Sequence, residues 1–163
     1  MARRPTRGRS RSSSAAVRRY TVDASVFVNA FNPHEDGHAG SLAILEAIQR
    51  RGDPIIVPAL IIPEVAAAIA RTTDDSAGAL HFAQAAAALP HLTIVSVTPA
   101  VARQAAELAA AHRLRGADAI YAAVARRYGT TLVSRDIEQV TRGSAVVSCV
   151  SPEQALGTPG VVG

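Results

Sequence analysis

Lysine is absent from this chain: all 17 basic residues are Arg. That excludes a P-loop, whose phosphate grip needs a Lys. Tryptophan is absent too, and Phe and Tyr number only three each, so the interior has to be built mostly from Ala, Val, Ile and Leu. The single Cys, Cys149, cannot form an internal disulfide and is read as a buried apolar side chain. No apolar run approaches the ~20 residues of a membrane span. No charged segment leads into an uninterrupted apolar stretch of the kind that marks a secretory signal. These absences give the expectation of a soluble, cytoplasmic protein with no membrane segment.

The 163 residues suit one domain with a real core. The net charge of +4 hides a division. Seven Arg (3, 4, 7, 9, 11, 18 and 19) precede Tyr20, which leaves 10 of the 17 against 13 acids, so the chain from Tyr20 onward carries about −3. Residues 1–19 are Arg- and Ser-rich with little to bury, and are expected to be disordered. Three readings of them stay open: an RNA-contacting arm acting through phosphate charge, a transit peptide with a thin apolar face, or an inert extension ahead of a natural start near Val17. The folded domain is expected over 20–156, with a loose Gly/Pro-rich end at 157–163.

Strand and helix signals alternate along the body. The run from Tyr20 to Val28, β-branched and apolar around one carboxylate, Asp23, reads as the first and central strand. Turn residues occupy 32–37, and an apolar stripe through Leu42, Ile44, Leu45 and Ile48 predicts a helix over 41–50. A short strand is expected at 55–57, and a helix over 59–71 that Pro63 could delay. An Ala-rich helix follows over 76–89, then a strand over 92–97 and a helix over 99–112 opened by Thr98-Pro99. The rest reads as a helix over 117–128, a strand at 130–133, a turn or short helix at 134–138 and a last strand at 145–150. This order argues an α/β fold with a parallel sheet and helices on both faces. Ligands bind such sheets beyond the carboxyl ends of the strands.

Four acids stand where that architecture could gather them: Asp23 in the first strand, Glu64 and Asp118 early in two helices, and Asp136 just after the Leu132-Val133 strand. On a helical wheel Glu64 and Asp118 lie near the edge of the apolar face. Neither has an Arg at i+3 or i+4, although Arg115 stands at i−3 from Asp118. Taken singly, each acid is as well explained as a cap, a turn residue or a solvated side chain. Together they are costly, because two carboxylates ~4 Å apart repel by about 4 kcal/mol at an effective dielectric of about 20. A cation or bound protons must offset that. Oxygen donors without a His or Cys cluster point to Mg²⁺, with Mn²⁺ as a substitute, rather than Zn²⁺.

The stretches Val22-Asp23-Ala24-Ser25, Pro63-Glu64-Val65, Gly116-Ala117-Asp118-Ala119-Ile120-Tyr121 and Leu132-Val133-Ser134-Arg135-Asp136 resemble, in order and spacing, those of PIN-domain ribonucleases. The likeness is greatest to VapC toxins of toxin–antitoxin pairs and covers residues 20–156. It implies a three-layer fold with a five-stranded parallel sheet and a Mg²⁺-dependent endoribonuclease, often a homodimer, silenced by a protein antitoxin. It also implies that Asp23, Glu64, Asp118 and Asp136 are the catalytic and metal-holding acids, braced by Ser25 and Ser134. Glu138 would be an accessory acid or a solvated one, and Arg113, Arg115 and Arg135 candidate RNA contacts or solvated Arg. A receiver domain resembles the same architecture but needs a Lys, and a haloacid-dehalogenase-like phosphatase would carry Asp-x-Asp where this chain has Asp23-Ala24-Ser25. A PIN nuclease in RNA processing without an antitoxin, and a non-catalytic PIN-like RNA-binding protein, remain as alternatives.

Overall fold

In a computed structural model, residues 17–157 are described. The expected disorder of 1–19 and looseness of 157–163 fall almost wholly outside them. Of the first segment, Arg19 already joins the sheet, its carbonyl accepting from the Thr131 amide at 2.9 Å.

The run from Tyr20 to Val28 is not one strand. β1 spans only Tyr20–Val22, and Asp23 then turns the chain into helix α1, Ala24–Phe31. The reason is local: the Asp23 side chain caps α1, accepting from the Ser25 amide at 2.9 Å. The β-branched residues beyond it still serve burial, since Val26 and Phe27 are both in the core. Packing and the cap override their strand propensity. Then come α2 (His38–Arg51), β2 (Ile55–Pro58), α3 (Ile61–Thr73) and α4 (Ser76–Ala87). β3 (Leu92–Val95), α5 (Pro99–His112), α6 (Gly116–Tyr128) and β4 (Thr131–Val133) follow. The last elements are α7 (Ile137–Gly143), β5 (Cys149–Val150) and α8 (Pro152–Gly157).

Further elements differ from expectation: the turn or short helix at 134–138 is α7 at Ile137–Gly143, and the strand over 92–97 stops at Val95. The strand expected at 145–150 shrinks to two residues, because the amides of Val146 and Val147 turn back onto the Gly143 carbonyl at the end of α7. Helix α8 was not anticipated. Its signal is a reciprocal cap: the Ser151 amide donates to Gln154 Oε1 at 2.8 Å, and the Gln154 amide donates to Ser151 Oγ at 3.2 Å.

The five strands are all parallel in the order β3-β2-β1-β4-β5, with β1 central as expected. The chain moves outward from β1 to β2 and β3, then returns to β4 on the other side of β1. Right-handed crossovers therefore put α1 to α4 on one face and α5 to α7 on the other, giving three layers. The reversal makes the β1/β4 seam a topological switch point, the usual place for a ligand crevice. The core is aliphatic and Ala-rich, with Ile44, Ile48, Ile55, Val57, Leu132 and five Ala or Val residues of α6 fully or nearly fully buried. Cys149 lies within it at 6% exposure. Among the described residues no helix is long and apolar enough to cross a membrane.

Candidate active site

The switch point dictates where the acids lie. β1 and β4 pair in register from Tyr20↔Thr131 to Val22↔Val133, and the Asp23 amide extends the ladder to the Val133 carbonyl at 2.9 Å. Asp23 therefore leaves β1 beside Ser134, Arg135 and Asp136 as they leave β4. Each of the four acids also sits at a helix start. Asp23 caps α1, Asp136 caps α7, and Glu64 and Asp118 occupy the first turns of α3 and α6. The positive ends of four helices thus face the cleft, which favours negative charge there. All four acids line one cleft of about 710 Å³.

Asp23 is the innermost, 7% exposed. Its Oδ2 accepts from the Ser25 amide at 2.9 Å and from Ser134 Oγ at 3.5 Å. Ser134 Oγ accepts from the Asp136 amide at 3.0 Å, and Ser25 Oγ from the Arg135 amide at 3.0 Å. The two expected brace residues therefore tie the β1 and β4 ends together and orient Asp23. Burial pushes the Asp23 carboxyl above its ordinary pKa, against the Ser25 hydrogen bonds, and the charge of Asp136 adds to the rise.

Glu64 is held from across the cleft. Its Oε2 accepts from the Tyr121 hydroxyl at 2.8 Å, and its pKa is raised by burial, with repulsion from Asp23 and Asp118 added. Asp118 is pushed up to about 6, by burial first and then by Asp23 and Asp136, with Arg115 opposing. Tyr121, fully buried, is driven far above its usual range by burial and by Asp23 and Glu64, so its hydroxyl stays a donor at any working pH. Asp136 Oδ1 accepts from the amides of Glu138 and Gln139 at 2.8 and 3.1 Å.

Arg115 does not turn to Asp118 as its spacing suggested. Its guanidinium bridges Asp136 Oδ2 and Glu138 Oε2, each at 3.2 Å. Glu138 also pairs with Arg142 at 2.6 Å and is absent from the cleft lining. Arg135 lines the cleft but pairs with Glu153. Arg113 caps α5 in the left-handed region, φ 55°, and lies outside the cleft lining. Among the described residues no three acidic, His or Cys side chains converge closely enough to form a ready metal cage. Glu64 is instead held by Tyr121 and Asp136 by Arg115.

Three lining or bracing residues were missed in the sequence. Tyr121 closes the Gly116–Tyr121 stretch, but its partner Glu64 lies on another helix, so no local signal in the sequence assigned it a task. Asn29 is buried and accepts from Ser41 Oγ at 2.7 Å while donating to Glu35 Oε2 at 3.2 Å and to the Asp36 carbonyl at 3.0 Å. That places Glu35, hidden in a turn-rich stretch, as a fifth acid on the cleft.

A profile of the PIN domain matches residues 20–142. The chain belongs to the PIN-domain family. No curated protein sequence matches it. Among solved structures, VapC20 of Mycobacterium tuberculosis, described as a sarcin-ricin loop cleaving toxin, is 18% identical, with 79% of this chain and 97% of that chain covered and a TM-score of 0.64. FitAcB from Neisseria gonorrhoeae is 20% identical over 82% of this chain and 98% of that chain, TM-score 0.62. VapBC2 from Rickettsia felis, bound to a DNA fragment from their promoter, is 15% identical over 82% and 96%, TM-score 0.60. At these identities the likeness is one of fold, and it spans nearly the whole of each neighbour. The PIN domain described here thus shares its fold with these structures.

Proposed function

We propose that this PIN domain is a metal-dependent endoribonuclease that hydrolyses RNA phosphodiester bonds, and the toxin of a toxin–antitoxin pair. The observation that carries the reading is the convergence of Asp23, Glu64, Asp118 and Asp136, from four separate elements, on one cleft at the switch point. Such charge crowding in a half-buried place serves no packing purpose.

The donor set fits a hard divalent cation: oxygen atoms only, with carboxyls raised in pKa partly by one another. Asp23, Glu64, Asp118 and Asp136 would hold Mg²⁺, or Mn²⁺ in its place. When bound, the ion supplies positive charge toward the phosphate and lowers the pKa of an attacking water. The chain's own residues do the positioning. Tyr121 fixes Glu64 through Oε2, and Ser134 links Asp23 Oδ2 to the Asp136 amide. Helix starts orient each carboxylate at low entropy cost, and Val28 of α1, Pro63 of α3 and Leu60 just before α3 give the cleft an apolar wall. Arg115 and Arg135 are candidate RNA contacts once released from their acids; Arg113 would act outside the cleft.

A VapBC2 complex, a toxin–antitoxin complex from Klebsiella pneumoniae and FitAB bound to DNA, all fold neighbours, support an antitoxin as partner, and a homodimer is proposed with it. The Ala-rich α4 gives one face to the core through Ala79, Ala83 and Ala86, and its exposed Leu80 is free for a partner. Cleavage of structured RNA by purified protein tests the reading. It should require Mg²⁺ or Mn²⁺ and stop with chelator or with Asp23→Asn; cleavage that persists in chelator refutes it. Growth arrest on expression, relieved by a small adjacent gene product, separates a toxin from a processing nuclease, and RNA binding without cleavage would favour a non-catalytic role.

A further inference from the structure

Resting on the nuclease reading, we infer that Arg71 is the substrate-positioning cation of the cleft: it holds an RNA phosphate while the strand lies along the exposed face of α3. One face of this helix, through Ile61, Val65 and Ile69, is buried in the core. Another lines the cleft through Pro63, Glu64, Ala67, Ala68 and Arg71, positions that three- and four-residue spacing keeps on one side. Between Glu64 and Arg71 only the methyl groups of Ala67 and Ala68 rise from the helix. They leave an open floor about 10 Å long, seven residues at the helical rise.

Charge decides which Arg serves. A polyanion approaching a cleft walled by Asp23, Glu64, Asp118, Asp136 and Glu35 is repelled unless a cation lies on its path. Three Arg line the cleft. Arg115 is shared between Asp136 and Glu138, and Arg135 is paired with Glu153. Arg71 is exposed and, among the described residues, makes no hydrogen bond or ion pair. Its guanidinium is available without breaking a contact, and its five donors suit a phosphate. Arg71 also lies in the last turn of α3, where a cation favours the helix end. That role alone would change stability and leave substrate handling untouched.

The test is steady-state cleavage of a labelled RNA by Arg71→Ala, Arg71→Lys and, as a control outside the cleft, Arg103→Ala on α5. Arg71→Ala should raise KM about 10-fold, the size of one charge-assisted contact, with kcat kept. Arg71→Lys should recover most of the loss, and Arg103→Ala should match wild type. In the Asp23→Asn background with Mg²⁺, fluorescence anisotropy on single-stranded RNA should show weaker binding for Arg71→Ala. The slope of log K against log salt should fall by about 0.7. Ala67→Leu, which raises the floor without touching charge, should raise KM and leave the salt slope alone. Unchanged KM and salt slope in Arg71→Ala, with wild-type cleavage intact, overturn this inference and spare the nuclease reading. Loss of kcat at constant KM overturns it as well. A wild type that neither cleaves nor binds RNA overturns both.

Discussion

Replacing Asp118 by Asn probes the crowding of the acids without any assay of cleavage. The side chain keeps its shape and loses its charge. In the metal-free protein its carboxyl is carried from 3.8 to about 6 by burial and by Asp23 and Asp136. Taken whole, that displacement corresponds to about 3 kcal/mol. Asp118 is only half-buried, and screening at that exposure leaves about 1–1.5 kcal/mol. The sign follows from linkage. Folding favours the protonated acid, so this contribution to stability is fully present below about pH 3.8 and is lost as pH rises through about 6. At pH 7.5 the variant lacks the cost of burying this charge, and the repulsion added to it, and should be the more stable by about 1–1.5 kcal/mol, a Tm higher by roughly 3–5 °C. At pH 4 the two should melt together. Thermal denaturation in chelator across that range gives the comparison. Added Mg²⁺ should then raise the wild-type Tm and not the variant's, since a cation that binds only the folded state stabilises it by mass action. An Asp118→Asn protein less stable than wild type at pH 7.5, or equally stabilised at pH 4 and 7.5, would refute the account of a strained acidic cleft.

Tyr121→Phe removes the donor to Glu64 and should cost about 1–2 kcal/mol of stability in urea denaturation, with cleavage lowered through kcat rather than KM. Arg115→Gln frees Asp136 and Glu138 from an internal cation, so Mn²⁺ titrated calorimetrically into the variant should bind a few-fold more tightly than into wild type; weaker binding would mean that Arg115 organises the acids instead of competing at them. Cys149, its thiol pushed up to about 12 by burial first and then by Asp23 and Asp118, should resist iodoacetamide at pH 8 until denaturant is added.

The sheet was legible because strands and helices alternate with clear breakers, and the order of the acids along the chain already suggested a shared crevice. What could not be read was geometry that depends on distant partners. The stretch after Asp23 has strand composition through Val26, Phe27 and Val28 but is helical, because one Asp side chain caps it and both faces find burial. Arg115 is three residues from Asp118, yet it reaches Asp136 and Glu138 at the start of α7, which the pairing of β1 with β4 brings alongside. Glu35 lies in a turn whose composition says only that the chain reverses; Asn29, buried at its foot, holds it on the cleft. Tyr121 was in view as a letter of a motif without a task, since its partner Glu64 lies 57 residues earlier.

Asp23 presented a choice between a capping acid and a metal ligand, and the magnitudes show why capping is not sufficient. It does cap α1, and each of its three companions also occupies a helix start. A helix end favours a carboxylate by about 0.3–1 kcal/mol, up to ~2 when partly buried. Two carboxylates at ~4 Å repel by about 4 kcal/mol, a cost that would be met if the four acids lining the cleft were drawn together. The helix ends can hold the carboxylates in place and aim them, but they cannot hold them together as anions. Arg115 offsets charge only on the Asp136 side, and it is pulled outward by Glu138. In the metal-free protein burial first, and then repulsion among the acids, raises the pKa of Asp23, Glu64 and Asp118. The nuclease reading assigns the remaining offset to a divalent cation, for which the four carboxylates supply hard oxygen donors.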